Sequence, residues 1–296
     1  MKSLKTHVAE VGFCANATLG EGACWDVEKQ VLYWVDILEC EVHVFDPIRG
    51  TDSVLRLFEH VSFVQPRLKG GVVVGTRSGV GVLDIEKGKF EMKASPEEKL
   101  DGNRFNDGKV GPDGRLYAGS LSYEGKQGAA NFWRFESDFR YEKLLDGVTN
   151  SNGLCWSLDG KILYYIDTGL QRVDAFDFDV ETGRISNRRM IWDVREKGGK
   201  PDGMTCDAEG FLWVALWGGG KVLRVNPRNG EVVGEVIAPC KNVTCPTFGG
   251  AELNVLYFTT AKKGRIEGPV DESPHAGDIF FAEVDTCGLP SFRFAG

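Results

Sequence analysis

The chain has 296 residues, of which 42% are hydrophobic and 26% charged, and its formal net charge is −8. This length and apolar content allow one large domain or two small ones. Lysine and arginine are scattered along the chain, which excludes the basic stripe of a nucleic-acid-binding protein. The first 20 residues lack the apolar core of a signal peptide, and no apolar run approaches the roughly 20 residues that span a bilayer. We therefore expect a soluble cytoplasmic protein without a membrane partner.

The sequence contains eight cysteines, and their spacing carries little information. None forms a C-x-x-C pair, and Cys240 and Cys245 are too isolated to indicate a zinc site. We expect most of the cysteines to be small buried apolar residues in a reducing compartment.

Strand-like segments dominate, and no window of a dozen residues shows a helical apolar period. In chain order, the pattern predicts hairpins at 22–37, 64–79, 107–121, 153–168, 203–217 and 248–261. Each joins two short strands through a turn, and all but the degenerate second copy open the second strand with an apolar residue and an aromatic. Further hairpins are predicted at 172–191 and 221–237. An N-terminal strand at about residues 8–13 is expected to pair with the last repeat and hide its edge.

These hairpins recur with a regular period. One equivalent position after each turn is occupied in order by Tyr33, Val74, Tyr117, Tyr164, Trp213 and Tyr257, at spacings of 41, 43, 47, 49 and 44 residues. A period in the forties built from strands is typical of a β-propeller with four-stranded blades. A β-helix would repeat at about 20–25 residues, and paired sandwiches would give no constant period. We predict an all-β, six-bladed propeller that forms a single domain over residues 1–296.

A second set of equivalent positions lies 11 or 12 residues before each of these markers. It consists of Glu21, Ser62, Asn106, Asn152, Asp202 and Cys245, which we call the ring positions. Equivalent positions of a propeller lie on a ring around its axis, so these side chains should meet at one end of the central channel. Taken singly, Asn152-Gly153 and Asp202-Gly203 are common turn dipeptides. Their matched register with Glu21 and Asn106 favours a shared site.

The four polar ring residues offer only oxygen atoms of carboxylates and amides as metal ligands. Such a set suits Ca²⁺, Mg²⁺ or Mn²⁺ better than Zn²⁺. All four histidines lie outside the ring positions, which argues against a histidine-based catalytic triad. Four tryptophans, Trp25, Trp156, Trp213 and Trp217, are interpreted as packing residues of the blades.

The sequence resembles the SMP-30/gluconolactonase family, which includes regucalcin and bacterial sugar lactonases. The resemblance is carried by "LGEGACW" (19–25), "NRFNDGKVGPDGRLYAGSL" (103–121), "SNGLCWSLDGKILYYIDT" (151–168), "PDGMTCDAEGFLWVALWGG" (201–219) and "FGG…LYFTTAKKG" (248–264). It implies a six-bladed propeller. It also implies that Glu21, Asn152 and Asp202 bind a metal, and that Arg104, Asn106 and Glu124 contact a sugar lactone. Two departures are Ala23, where the family usually has proline, and a segment after Glu124 that is shorter than in regucalcin.

These observations together predict metal-dependent hydrolysis of a sugar lactone, pentonic or hexonic, to the sugar acid. Asp202 is the candidate general base as well as a ligand. One divalent cation is expected, Ca²⁺ foremost, with Mn²⁺, Fe²⁺, Mg²⁺ and Zn²⁺ also compatible. The expected partner is the small-molecule lactone, and the expected assembly is a monomer or weak homo-oligomer. Two alternatives remain open: a calcium-binding propeller without catalysis, and a metal-dependent phosphotriesterase-like hydrolase.

Overall fold

The protein is described by a computed structural model that covers residues 4–296. Within these residues it forms 25 β-strands and one short 3₁₀ helix, Thr168–Leu170. Across that range, no helix is long and apolar enough to cross a membrane. The strands are β1 (Lys5–Val8), β2 (Glu10–Phe13), β3 (Gly20–Asp26), β4 (Val31–Asp36), β5 (Glu41–Asp46), β6 (Thr51–Arg56), β7 (Val61–Pro66), β8 (Val72–Thr76), β9 (Val80–Asp84), β10 (Lys89–Ala94), β11 (Asn103–Val110), β12 (Leu116–Ser122), β13 (Ala130–Phe135), β14 (Tyr141–Val148), β15 (Ser151–Trp156), β16 (Ile162–Asp167), β17 (Arg172–Asp179), β18 (Arg184–Asp193), β19 (Lys200–Cys206), β20 (Leu212–Trp217), β21 (Lys221–Val225), β22 (Val232–Ile237), β23 (Val243–Gly249), β24 (Val255–Thr260) and β25 (Ile279–Glu283).

The strands form six antiparallel blades around a central axis, as the repeat period predicts. The blades are β3–β6, β7–β10, β11–β14, β15–β18, β19–β22 and β23–β25 with β2. The first strand of each blade is the innermost. Each innermost strand contacts the next around the ring, and β23 contacts β3 to close it. The six predicted hairpins are the two inner strands of each blade, and those at 172–191 and 221–237 are outer strands.

The N-terminal segment joins the two ends of the ring. β2 pairs antiparallel with β25 and supplies the outermost strand of the sixth blade, which confirms the predicted pairing for residues 10–13. Val8 is different, because it belongs to β1, which runs parallel to β22 on the edge of the fifth blade. The hydrogen bond from Ala9 N to Ile237 O holds the chain on that edge before it crosses over. The strand predicted at 8–13 is therefore two strands on neighbouring blades.

Aromatic side chains fill the space between neighbouring blades. Trp25 of the first blade stacks on Tyr257 of the sixth with ring centroids 5.5 Å apart, and Trp156 packs edge-on against Tyr117 at 5.3 Å. Such pairs contribute about 0.5–1.5 kcal/mol each beyond the burial of their surface. Trp25 and Trp156 are buried, as is Trp213, so these three are packing residues as expected. The blades are thereby fixed relative to one another, which sets the spacing of the residues around the axis.

Candidate functional site

Each ring position lies at a β-bulge of its innermost strand. In the first blade, Glu21 pairs with Val35 and Cys24 with Tyr33, so the inner strand carries one extra residue. The same one-residue shift occurs at the equivalent point of the other five blades. A bulge re-aims side chains out of the regular pleat. The repeated bulge is the reason that residues from different blades turn toward the same end of the channel.

The four polar ring residues meet in one cavity. Its lining consists of Leu19, Glu21, Arg104, Asn106, Leu121, Asn150, Asn152, Thr168, Lys200, Asp202, Trp217 and Gly264. The predicted convergence of the polar ring residues with Arg104 is therefore observed. The two other ring positions differ: the Ser62 hydroxyl donates to Phe105 O, and Cys245 is buried.

Arg104 is buried and is held in the cavity wall by its neighbours. Its Nη1 atom donates to Asn106 Oδ1 at 2.7 Å and to Phe105 O at 2.9 Å. The Asn106 amide nitrogen donates across to the next blade, to Asn150 Oδ1 at 3.1 Å and Ser151 O at 2.8 Å. These contacts use only Nη1 of the guanidinium, so its other N–H groups are available to a ligand in the cavity. Asn106 thus fixes the orientation of the Arg104 guanidinium in the cavity wall.

A hydrogen-bond chain fixes the orientation of the Asn152 amide. Its Nδ2 atom donates to Thr168 Oγ1 at 2.9 Å, and the Thr168 hydroxyl donates to Pro201 O at 2.8 Å. Because the Thr168 proton is already used, its oxygen can only accept, and Asn152 must present its NH₂ group there. The Asn152 Oδ1 atom is then the one left for a cation, as second-shell contacts typically arrange.

Three carboxylates, those of the buried Asp107 and Asp202 and the half-buried Glu21, lie close enough to influence one another. Burial raises the pKa of the Glu21 carboxyl well above its ordinary value, and the charges of Asp202 and Asp107 raise it further. Burial also raises the pKa of Asp202, with a further increase from Asp107 and an opposing hydrogen bond from Asn152. Burial raises the pKa of Asp107 too, while the nearby Lys109 ammonium lowers it. Arg104 and Lys109 compensate this negative charge only in part.

The site fits a hard divalent cation. Asp107 Oδ2 is buried and has no hydrogen-bond partner, although Oδ1 accepts from Gly108 N at 2.7 Å. An unpaired buried carboxylate oxygen beside Glu21 and Asp202 is costly unless a positive charge offsets it. The surrounding donors are oxygen atoms of carboxylates and amides, which Ca²⁺, Mg²⁺ and Mn²⁺ prefer.

Several residues of this region were missing from the sequence-based set. Asp107 was not among the predicted site residues, and its signal was its place beside Asn106 in a polar cluster. Trp217, interpreted as packing, also lines the cavity together with Lys200. Tyr123 lies above Arg104, whose guanidinium carbon is 5.9 Å from the centroid of the tyrosine ring.

The position of Tyr123 is supported from the neighbouring blade, which no motif indicates. His60 precedes β7, and its Nδ1 atom lies 2.7 Å from the Tyr123 hydroxyl. The next residue, Glu124, lies in the exposed turn between β12 and β13 and outside the cavity lining. The structure therefore brings together five of the six predicted site residues, Glu21, Arg104, Asn106, Asn152 and Asp202, and leaves Glu124 at the surface.

The family model described as SMP-30/Gluconolactonase/LRE-like region matches residues 19–262. The chain belongs to this lactonase and gluconolactonase-like family. Its curated relatives include a Bacillus subtilis (strain 168) protein named "Putative sugar lactone lactonase YvrE", 37% identical over 280 residues, with 95% of this chain and 96% of the relative covered. Regucalcin of Oryctolagus cuniculus is 35% identical over 287 residues, covering 95% and 96% of the two chains.

Solved structures of this SMP-30/gluconolactonase family share the fold over nearly the whole length. The regucalcin of Agrobacterium tumefaciens str. C58, described as a calcium-binding protein, superposes with a TM-score of 0.92 at 26% identity and 100% coverage of both chains. A luciferin-regenerating enzyme superposes with a TM-score of 0.89 at 30% identity, with 95% of this chain and 96% of that one covered. The six-bladed architecture is thus common to relatives whose names indicate different activities.

Proposed function

We propose that the protein hydrolyses a sugar lactone, a cyclic ester of a pentonic or hexonic acid, with one divalent cation bound at the channel end. The observation that carries this proposal is the convergence of Arg104 with Glu21, Asn152 and Asp202 on one cavity. A site that only bound a cation would gain nothing from a buried guanidinium beside it. Membership of a lactonase-like family supports the same reaction.

Glu21, Asn152 and Asp202 would hold the cation through carboxylate and amide oxygens. When bound, a divalent cation supplies Lewis acidity toward an ester carbonyl and makes water more acidic. The names of the regucalcin relatives support a divalent cation, and Ca²⁺ is our first expectation among Ca²⁺, Mn²⁺, Fe²⁺, Mg²⁺ and Zn²⁺.

Other residues around the cavity would bind the lactone and take up the proton of the attacking water. Arg104 offers N–H donors that orient the lactone and stabilise negative charge as it develops on the carbonyl oxygen. Asp202, once ionised, is the candidate base for the proton of the attacking water. Trp217 supplies an apolar wall for the C–H faces of a sugar, and Lys200 lies near its hydroxyl groups. Contact of Glu124 with the sugar would require the exposed turn after β12 to approach the bound lactone.

The test is a pH-stat assay of metal-stripped protein against γ- and δ-aldonolactones, with each of the five cations returned singly. We expect saturable hydrolysis that depends on the cation and falls to the spontaneous rate in Asp202→Ala. Asp159→Ala, a substitution in an exposed turn far from the ring positions, is the matched control and should keep full activity. Cation binding without turnover of any lactone would overturn the proposal and favour a calcium-binding propeller.

A further inference from the structure

A second group of potential metal ligands lies away from the channel, where the ring closes. The ligand atoms of Cys14, His275 and Asp278 all lie within 4.8 Å of one another. Over residues 4–296, this is the one group of three histidine, cysteine or acidic residues with that spacing. Cys14 directly follows β2, and the two other residues lie in the segment that leads into β25. The group therefore joins the closing strand to the blade it completes.

The backbone holds these two segments together without any help from a ligand. Asn16 N donates to Asp278 Oδ1 at 2.9 Å, and Ala17 N donates to Gly277 O at 2.8 Å. A Cβ atom on Gly277 would lie 2.2 Å from Ala17 O, so only glycine permits this close approach. These contacts fix the backbone just after Cys14 against Gly277 and Asp278, which reduces the entropic cost of binding an ion between the two segments.

The three ligand atoms lie within 4.8 Å of one another, so small side-chain movements can bring them to the spacing of a tetrahedral zinc site. Zinc bonds of about 2.3 Å to sulfur and about 2.0 Å to nitrogen and oxygen place neighbouring ligand atoms roughly 3.5 Å apart. His275 Nδ1 and Asp278 Oδ2 are 2.9 Å apart, and the exposed imidazole can move outward to reach the larger separation. Asp278 Oδ2 contacts His275 and no main-chain atom. This oxygen can therefore bind a metal instead of His275 while Asp278 Oδ1 keeps its hydrogen bond from Asn16 N.

The charge of the group suits a divalent ion that binds thiolate. An ionised Cys14 and Asp278 carry two negative charges, and His275 adds a neutral nitrogen ligand. The group opens onto a surface depression that gives an ion access from solvent. Lys262 also lines this depression, but its ammonium donates to Asn16 Oδ1, and the acidic Asp271 and Glu272 offset its charge.

We propose that Cys14, His275 and Asp278 bind Zn²⁺, with water as the fourth ligand. This site differs in chemistry from the all-oxygen set of the channel, because it contains a thiolate and an imidazole. It would hold the N-terminal closing strand against the segment between β24 and β25. Gly264, in that same segment, lines the channel cavity, so the two metal sites are joined by one stretch of chain.

The experiment uses Co²⁺ as a spectroscopic probe for the proposed zinc site in the reduced full-length protein. A thiolate ligand gives Co²⁺ an intense near-ultraviolet charge-transfer band, which oxygen ligands of the channel cannot produce. We expect this band in the wild type, its displacement by one equivalent of Zn²⁺, and its loss in Cys14→Ser and in His275→Asn. Zn²⁺ should also raise the Tm of the wild type more than that of Cys14→Ser, because it stabilises only the protein that binds it.

Two cysteine variants serve as matched controls. Cys287 is exposed and free like Cys14, and Cys245 is the buried thiol at a ring position of the channel. Cys287→Ser and Cys245→Ser should both keep the band. Circular dichroism of Cys14→Ser checks that the variant is folded, and we expect a wild-type spectrum because Cys14 is exposed. A wild type without the band, or a band that survives in Cys14→Ser or disappears in Cys245→Ser, would overturn the proposal.

Discussion

Asn106 holds Arg104 in the cavity wall through a 2.7 Å hydrogen bond from Arg104 Nη1 to Asn106 Oδ1. Asn106 is itself held by the next blade, because its amide donates to Ser151 O at 2.8 Å. The orientation of the guanidinium therefore depends on the contact between two blades. This relationship explains why an asparagine stands at a ring position without an oxygen free for a cation.

Asn106→Ala should impair lactone hydrolysis without removing any charge. The substitution leaves Arg104 intact but takes away a hydrogen bond to a charged group, which is worth about 1.5–3 kcal/mol. We expect kcat/KM to fall by about 10- to 100-fold, measured with the best lactone and cation from the panel. Asn254→Ala, at an exposed asparagine, is the control. Wild-type kcat/KM in Asn106→Ala would show that Arg104 needs no such support.

Thr168→Val should weaken cation binding, although Thr168 is not itself a proposed ligand. Valine removes the oxygen that accepts from Asn152 Nδ2, so the amide is free to turn its NH₂ group toward the cation. Loss of a second-shell partner typically costs about 10- to 100-fold in metal affinity. Isothermal titration with Ca²⁺ measures the effect, and Thr51→Val, on an exposed edge strand, is the control. Equal Ca²⁺ affinity in Thr168→Val and wild type would show that Thr168 does not support cation binding.

The stability of the metal-free protein should fall as the pH rises. Glu21 and Asp202 have folded-state pKa values above their ordinary values of 4.5 and 3.8. Groups with raised pKa contribute stability that is fully present below the ordinary values and is lost as the pH rises through the folded-state values. The Tm of chelated protein should therefore decrease as the pH rises from these ordinary pKa values toward the folded-state values. A saturating divalent cation should restore the Tm.

Neutral variants separate this effect from other titrating groups. Glu21→Gln and Asp202→Asn remove one charge each from the buried carboxylate group, so both should raise the Tm of the chelated protein at neutral pH and flatten its pH dependence. The same variants should lose most of the stabilisation by the cation. Asp146→Asn, at an exposed position, should change neither. A chelated wild type with a Tm as high at pH 8 as at pH 5 would contradict the proposed repulsion.

The repeat period was sufficient to predict the blades and the ring positions. The spacing from Tyr33 to Tyr257 follows one hairpin per blade, and residues at a fixed distance before these markers must lie on a common ring. The sequence also placed Arg104 in the cavity, through the family resemblance. The sequence could therefore predict the features that are set by the position of a residue within its own blade.

Contacts between loops of different blades could not be predicted in this way. His60 meets Tyr123 across two blades, and Thr168 orients Asn152 by using a carbonyl of the fifth blade. Neither contact recurs from blade to blade, so no repeat in the sequence indicates it. β1 is a similar case, since its parallel pairing with β22 follows from the path of the chain around the ring and leaves no alternation to recognise. Asp107 was visible in the sequence, but its unpaired oxygen was not.

Gly153→Ala should disturb the site by separating two blades. Gly153 follows Asn152, and a Cβ atom there would lie 2.6 Å from Asp202 O and 2.6 Å from Met204 N. The clash is with main-chain atoms of β19, which cannot rotate away, so the fifth blade must shift outward. Overpacking of this kind costs about 1–3 kcal/mol or more. We expect a lower Tm and weaker Ca²⁺ binding together, because Asn152 and Asp202 move apart.

Gly102→Ala is the matched control for this substitution. A Cβ atom on Gly102 would have no neighbouring atom within 4 Å, and the residue is exposed just before β11. It should leave both the Tm and the Ca²⁺ affinity unchanged within error. If Gly153→Ala lowered the Tm but kept wild-type Ca²⁺ affinity, then the spacing of Asn152 and Asp202 would not depend on the close contact between these two blades. The glycine would then serve packing alone, and the ring of ligands would tolerate movement of its blades.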